Sequence, residues 1–231
     1  AKVKGTKVKI RLGASSGEWK AMVADKAART TFAKNIKTVL EKNKLDGIDL
    51  DFEWAENEKE YKDYSLAILK MREVLGDKYL FSVSLHPVCY KISKEAIEAV
   101  DFISLQCYGP SPVRFPIEKY CSDIQMVLEY GIPKEKLVAG VPFYGVTKDN
   151  SKKTEAYFNF VQNGLVTSPA QNEVIYQGDT YVFDGQDNIR IKTRYAKEQK
   201  LKGMMSWDLA TDLPLSDSRS LLKTMTEELR E

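Results

Sequence analysis

The 231-residue sequence is 43% hydrophobic and 29% charged, the make-up of an ordinary globular domain with room for a sizeable core, which excludes disordered and collagen-like classes. Lys and Arg number 35 against 33 Asp and Glu, with no long run of like charge, so the balance points to neither nucleic acid nor an anionic membrane as partner. No apolar stretch approaches the roughly 20 residues of a bilayer span, the N-terminal stretch lacks the apolar segment of a signal peptide, and Cys89, Cys107 and Cys121 are too few and scattered for a disulfide framework.

A first strand-like run covers residues 7–13. The helix after it carries Ala28, Phe32, Ile36, Val39 and Leu40 at three- and four-residue steps, with a lysine-rich opposite face. Residues 47–54 form the second strand. Tyr61, Tyr64, Ala67, Ile68, Met71 and Leu75 then mark a helix closing before Gly76, which suits a left-handed cap. A third strand spans 79–86, Ser93 caps a short helix reaching Val100, and a fourth strand spans 102–108. A helix over 117–130 leads to a fifth strand at 137–144. Residues 146–182 mix Thr, Lys, Asn, Gln and Gly with Tyr157, Phe158 and Phe160 without sustained period, and read as an insertion or elaborated loop. A helix at 189–200, a sixth strand at 203–209 and a helix at 218–229 complete the chain. Strands alternating with helices predict a parallel sheet with covering helices, in one domain over 1–231.

Side chains alternate faces along a strand, so Asp49, Asp51 and Glu53 share one side of the second strand while Ile48, Leu50 and Phe52 share the other. For an isolated D-x-D-x-E the ordinary reading is an amphipathic strand with its acids in water. In an α/β layer, however, the apolar face packs against helices, and the acids turn toward a barrel interior. Closely placed carboxylates cannot all ionise without cost, so one of them is expected to hold a proton, as a general acid requires. Glu53 lies nearest the C-terminal end of the strand, where parallel barrels place their chemistry.

The run Asp46-Gly47-Ile48-Asp49-Leu50-Asp51-Phe52-Glu53 resembles the D-G-x-D-x-D-x-E signature of glycoside hydrolase family 18, the chitinases and endo-β-N-acetylglucosaminidases. Residues 7–13 look like the family's third barrel strand, Gln106-Cys107-Tyr108 like its sixth-strand Q-x-Y. Residues 140–145 (G-V-P-F-Y-G) are similar to its seventh strand and 203–207 (G-M-M-S-W) to its eighth. The resemblance implies a (β/α)8 TIM barrel of which the first two strand-helix units are missing, whether as a fragment, a trimmed chain or a curtailed barrel. It further implies a substrate-assisted, retaining hydrolysis of β-1,4 bonds in chitin or N-acetylglucosamine oligosaccharides. Glu53 would be the proton donor, Asp51 would support the substrate acetamide, Asp49 would modulate Asp51, and Tyr108 would hydrogen-bond the acetamide oxygen. Trp207 would floor the sugar, and Gln106, Tyr144 and Trp19 would add substrate contacts, with Asp46 and Gly47 supporting the motif. Trp19, Trp54 and Trp207 all fall at or just beyond predicted strand ends, and indole faces suit pyranose rings. Trp54 also reads as a packing residue. Trp207 shares its alternation with Met205 and Leu209, so its entry into the site is expected to need a bend, and the resemblance implies a non-proline cis bond between Trp207 and Asp208.

Departures from the family pattern are Arg11 near the acids, where it is placed to hold Asp49 ionised, and Gly109 where an aspartate often follows the tyrosine. The alternatives are cleavage of N-linked glycans and an inactive chitinase-like carbohydrate-binding protein, the latter opposed by Glu53. A phosphate-binding α/β protein would need a glycine-rich loop that residues 13–17 imitate poorly. His86 is the only histidine, and with no second histidine or cysteine pair neither a metal site nor a cofactor is expected. Exported family members point to a secreted or cell-envelope location.

Overall fold

In the computed structural model, which describes residues 7, 9–14, 16–108, 115–149 and 153–231, the chain forms two compact units: residues 1–104 with 130–132, and residues 105–129 with 133–231. In the first unit β1 (Lys9–Ala14), β2 (Gly47–Phe52), β3 (Leu80–Leu85) and β4 (Phe102–Leu105) lie side by side in that order. The pairs β1 with β2 and β2 with β3 are parallel, and the register sets Arg11 and Ser82 on either side of Asp49, and Gly13 and Ser84 on either side of Asp51. Two helices, α1 (Ser16–Ala24) and α2 (Lys26–Lys42), return the chain from β1 to β2. After β2 comes α3 (Glu58–Leu75), and after β3 the short α4 (Lys94–Ala99).

Side-chain caps fix the helix starts. Asp25 accepts from Ala28 N at 2.6 Å, Asn57 from Glu60 N at 3.0 Å and Ser93 from Ala96 N at 3.2 Å, each satisfying a backbone donor that the first helical turn leaves open. Gly76 ends α3 at φ 60° and ψ −159°. This is a region reserved for glycine, although not the left-handed helical cap expected. α1 is an addition to the sequence reading: Trp19 and Val23 are its buried apolar pair, too short a pattern to stand out as periodic.

The second unit opens with α5 (Ile117–Tyr130) and holds the parallel pair β5 (Leu137–Pro142) and β10 (Gly203–Trp207). Between these strands the region read as an elaborated loop builds β6 (Tyr144–Thr147), β7 (Thr154–Ala156), α6 (Tyr157–Gln162), β8 (Glu173–Tyr176) and β9 (Asp179–Val182). The four strands form an antiparallel sheet in the order β7-β6-β9-β8. Gln177 and Gly178, at φ 52° and 85°, make the two-residue turn between β8 and β9, in the conformation that matches strand twist. α7 (Gln186–Glu198) and α8 (Leu221–Arg230) follow β9 and β10. Asp212 accepts from Leu221 N at 3.0 Å and Leu222 N at 2.8 Å and so secures the start of α8.

Lys192 and Asp184 form an ion pair at 2.6 Å with both side chains buried. Asn188 donates to Asp184 at 3.1 Å, and Lys192 Nζ also donates to the Phe115 carbonyl at 2.7 Å. Burial pushes the Asp184 carboxyl above the usual carboxylate range, against the pull of Lys192. No described helix is long and apolar enough to cross a membrane.

Candidate active site

β2 carries its predicted two faces. Ile48, Leu50 and Phe52 are buried on the side where the Phe52 ring stacks on Tyr64 at 4.6 Å and meets Trp19 edge-on at 5.8 Å. Asp49, Asp51 and Glu53 alternate to the opposite side. Asp49 Oδ2 accepts from Ser84 at 2.7 Å and Oδ1 from Ser82, the two β3 serines that the register brings beside β2. Lys9 lies 3.9 Å from Asp49 and donates to Ser82. Burial lowers its ammonium pKa, with Asp49 and Asp101 pulling it back. The Asp51 side chain is 1% exposed and meets the Arg11 guanidinium in an ion pair. Glu53 stands past the strand end with 45% of its side chain exposed, 4.0 Å from the same guanidinium.

Two expectations change here. The acids do not meet as bare like charges, because β1 inserts a cation beside each buried aspartate. Arg11 pairs with Asp51 and not with Asp49, since its long side chain reaches past the residue it is registered against. The signature's opening glycine has a steric reason: a Cβ on Gly47 would stand 2.0 Å from the Leu80 carbonyl oxygen, so only glycine lets β2 approach β3 there. Asp46 contributes its carbonyl, which accepts from Leu80 N at 2.9 Å.

In the second unit Gln106 and Tyr108 are both buried, and Tyr108 Oη donates to Gln106 Oε1 at 3.3 Å. Tyr108 packs with Phe115 and Val146, flanked by Tyr144, Val182 and Met205. The Tyr144 ring meets Tyr108 edge-on at 6.4 Å and Phe115 at 6.1 Å. Gly140 makes room for this arrangement, since a Cβ there would come within 2.6 Å of the Leu105 carbonyl and 3.0 Å of the Tyr108 ring. Tyr144 and Trp207 line one open cleft of about 300 Å³ with Thr154, Glu155, Ala156, Asp208 and Thr211. Trp207 is 39% exposed.

The bend expected at Trp207 is unnecessary. Met204 Sδ accepts from Tyr120 Oη at 3.3 Å, while Met205 packs by Tyr108, so Trp207 already shares the Met205 face of β10. The Trp207-Asp208 peptide bond is cis, as expected, and so is Glu53-Trp54, which was not foreseen. Trp54 packs on His86, ring centroids 4.8 Å apart.

Trp19 does not join the acids. It is 3% exposed in the core of the first unit, edge-on to Phe32 and Phe52 on the helix side of β2; α1 folds it back over the sheet after the strand end has passed. Gly109 lies outside the described residues. Glu155 and Asp208 are cleft residues that the sequence reading missed. Among the described residues no group of three or more His, Cys, Asp or Glu side chains is placed to hold a metal ion.

Comparison with solved structures shows the fold. A chitinase from Bacteroides thetaiotaomicron superposes with a TM-score of 0.85 at 22% identity, covering 96% of this chain and 76% of its own. The chitinase-like agglutinin RobpsCRA from Robinia pseudoacacia gives 0.82 at 18% identity, covering 97% and 81%. These relatives are TIM barrels, and each unit of this chain shows that fold's parallel strands with covering helices. Probable chitinase 2 of Drosophila melanogaster is 23% identical over 89% of this chain and 56% of its own length, and class V chitinase of Arabidopsis thaliana 22% identical over 83% and 65%. The chain thus spans less than two thirds of these relatives. The family model for glycosyl hydrolases family 18 matches residues 1–212, and the chain belongs to that family.

Proposed function

We propose that this chain is a glycosidase that hydrolyses β-1,4 bonds in chitin or N-acetylglucosamine oligosaccharides, with retention and with help from the substrate's own acetamide. The observation that carries the reading is the gradient along β2: two buried, partnered aspartates end in a glutamate whose carboxyl reaches solvent. A proton donor has to meet a glycosidic oxygen arriving from outside, and the charges that support it work best where water is excluded. The chitinase names of the relatives favour chitin over N-linked glycans.

In this reading Glu53 gives its proton to the glycosidic oxygen as the C1–O bond breaks. The carbonyl oxygen of the 2-acetamido group bonds to C1 from the opposite face, leaving an oxazolinium ion. Water then adds to C1, returns a proton to Glu53 and frees the acetamide, so the configuration is kept. Asp51 supports the acetamide N–H, and Asp49, tied by Ser82 and Ser84, is the fixed charge behind it. Tyr108 donates to the acetamide oxygen the hydroxyl proton that it gives to Gln106 Oε1 in the free chain, so sugar binding takes over that bond. Trp207 and Tyr144 hold a sugar ring in their cleft. Polymeric chitin cannot enter a cell, so the proposed place of action is outside it or in the envelope.

The test is incubation of the wild-type chain and Glu53→Gln with N-acetylglucosamine oligomers and with a high-mannose glycopeptide, followed by product analysis. Oligomer cleavage is expected to fall by about 10²–10⁴ in the variant, the usual worth of a general acid, with the glycopeptide left intact. Cleavage that survives Glu53→Gln, or none by the wild type, overturns the reading.

A further inference from the structure

We propose that Arg11 is an electrostatic brake on the acidic row: its guanidinium neutralises Asp51, and any positively charged reaction centre has to compete with it. The inference rests on the glycosidase reading above. The register of β1 against β2 brings Arg11 to the acidic face, where its Nη2 touches Asp51 and lies 4.0 Å from Glu53 Oε1. Among the described residues, the charged groups placed beside it are Asp51 and Glu53, with Asp49 opposite it in the register and Lys9 paired to Asp49. Lys9 already stands 3.9 Å from Asp49. Three carboxylates thus face two resident cations, and the row has little negative charge left to offer a substrate.

Glycoside cleavage builds positive charge at the anomeric carbon, and a carboxylate lowers that barrier only as far as its own charge is unspent. A guanidinium stays ionised at every working pH, and Asp51 is buried, so salt does little to weaken their pairing. Asp49 is held by the two β3 serines without it. The Arg11 side chain is 40% exposed, so removing it opens the row to water instead of leaving a cavity in the core.

The test compares wild type, Arg11→Ser and Arg11→Lys for kcat and KM on N-acetylglucosamine oligomers. It also measures their Kd for a neutral oligomer and for a cationic amidine mimic of the same sugar. Arg11→Ser is expected to raise kcat about tenfold, roughly what a unit charge at this distance is worth in a half-wet site, with KM nearly unchanged. The cationic mimic should bind Arg11→Ser about tenfold tighter while the neutral oligomer binds as before, and Arg11→Lys should behave as wild type. A fall in kcat for Arg11→Ser, or equal changes for the neutral and cationic ligands, overturns the brake and makes Arg11 a positioning residue. If the wild type shows no Glu53-dependent cleavage, the glycosidase reading itself has failed; if it cleaves and Arg11→Ser matches it throughout, only the brake has.

Discussion

The polar face of the first unit and the aromatic cluster of the second solve the same problem by opposite means. Each must hold polar side chains in a buried place. Around β2 this is done with charge and hydroxyls: Ser82 and Ser84 on Asp49, Arg11 on Asp51. In the second unit it is done with walls: Tyr108 and Tyr144 are set by Phe115, Val146 and the space Gly140 leaves. The strong charge pair there, Lys192 with Asp184, stands behind the cluster and reaches it through the Phe115 carbonyl. The difference teaches that polar site residues in the first unit rest on β3 hydroxyls and part-exposed cations, whereas those in the second stand in front of a sealed pair that cannot be halved.

Breaking that contrast calls for removing one cation from each unit. Lys192→Met strands Asp184 in the core and leaves the Phe115 carbonyl without its donor, a change expected to cost about 3–5 kcal/mol in urea unfolding. Replacing both partners, Lys192→Met with Asp184→Leu, should recover much of the loss, because no uncompensated charge remains. Lys9→Met in the first unit is expected to cost under about 1 kcal/mol, since Lys9 is part-exposed and its ammonium already resists burial. Equal costs for the two single variants would erase the distinction.

The two tryptophans sharpen it at the next scale. Trp19→Ala removes a core ring from the first unit and should cost about 3–5 kcal/mol of stability, with KM unchanged in whatever protein remains folded. Trp207→Ala should leave stability nearly intact and raise KM about tenfold, as expected where an exposed ring stacks on a sugar. Steady-state kinetics beside thermal unfolding separates the two. A KM effect from Trp19 would return it to the site from which its packing removes it.

These tryptophans also show what the sequence could and could not reveal. β2 was legible because strand alternation has a rigid period of two, and an apolar face at Ile48, Leu50 and Phe52 fixes where Asp49, Asp51 and Glu53 point. Trp207 was legible from its motif, but alternation alone does not say which face of β10 looks inward; Met205 beside Tyr108 does. Trp19 was misplaced because standing just past a strand resembles standing at the mouth; whether the chain continues outward or folds back as α1 is a tertiary choice. Arg11 was legible as a cation near the acids but not its partner, which depends on how far a flexible side chain reaches. The β8–β9 hairpin leaves a faint trace in two short β-prone runs joined by Gln177-Gly178, weaker than an Asn-Gly turn. Lys192 and Asp184 left no trace: their eight-residue separation carries no pattern, and on a helix surface Lys192 would pass for a solvated charge.

Thiol chemistry tests the contrast most gently. Cys89 lies buried in the first unit and Cys107 in the second, while Cys121 is partly exposed. Burial raises the thiol pKa of all three and pushes that of Cys107 up to about 12, but only Cys89 and Cys107 are also shielded from an alkylating reagent while their units stay closed. One fast-reacting thiol is therefore expected in the folded chain, Cys121, followed by two slow ones whose rates report the opening of their own units. Lys192 ties its helix to the Phe115 carbonyl, and Phe115 packs on Tyr108, the neighbour of Cys107 in sequence, so Lys192→Met should loosen this unit and accelerate labelling of Cys107 more than that of Cys89, even though losing the cation raises the Cys107 pKa further. Mass spectrometry of the alkylated peptides reads both rates in one sample. If the two cysteines quicken in step, the units open together, and the sealed pair in the second supports the polar face of the first as much as its own aromatic cluster.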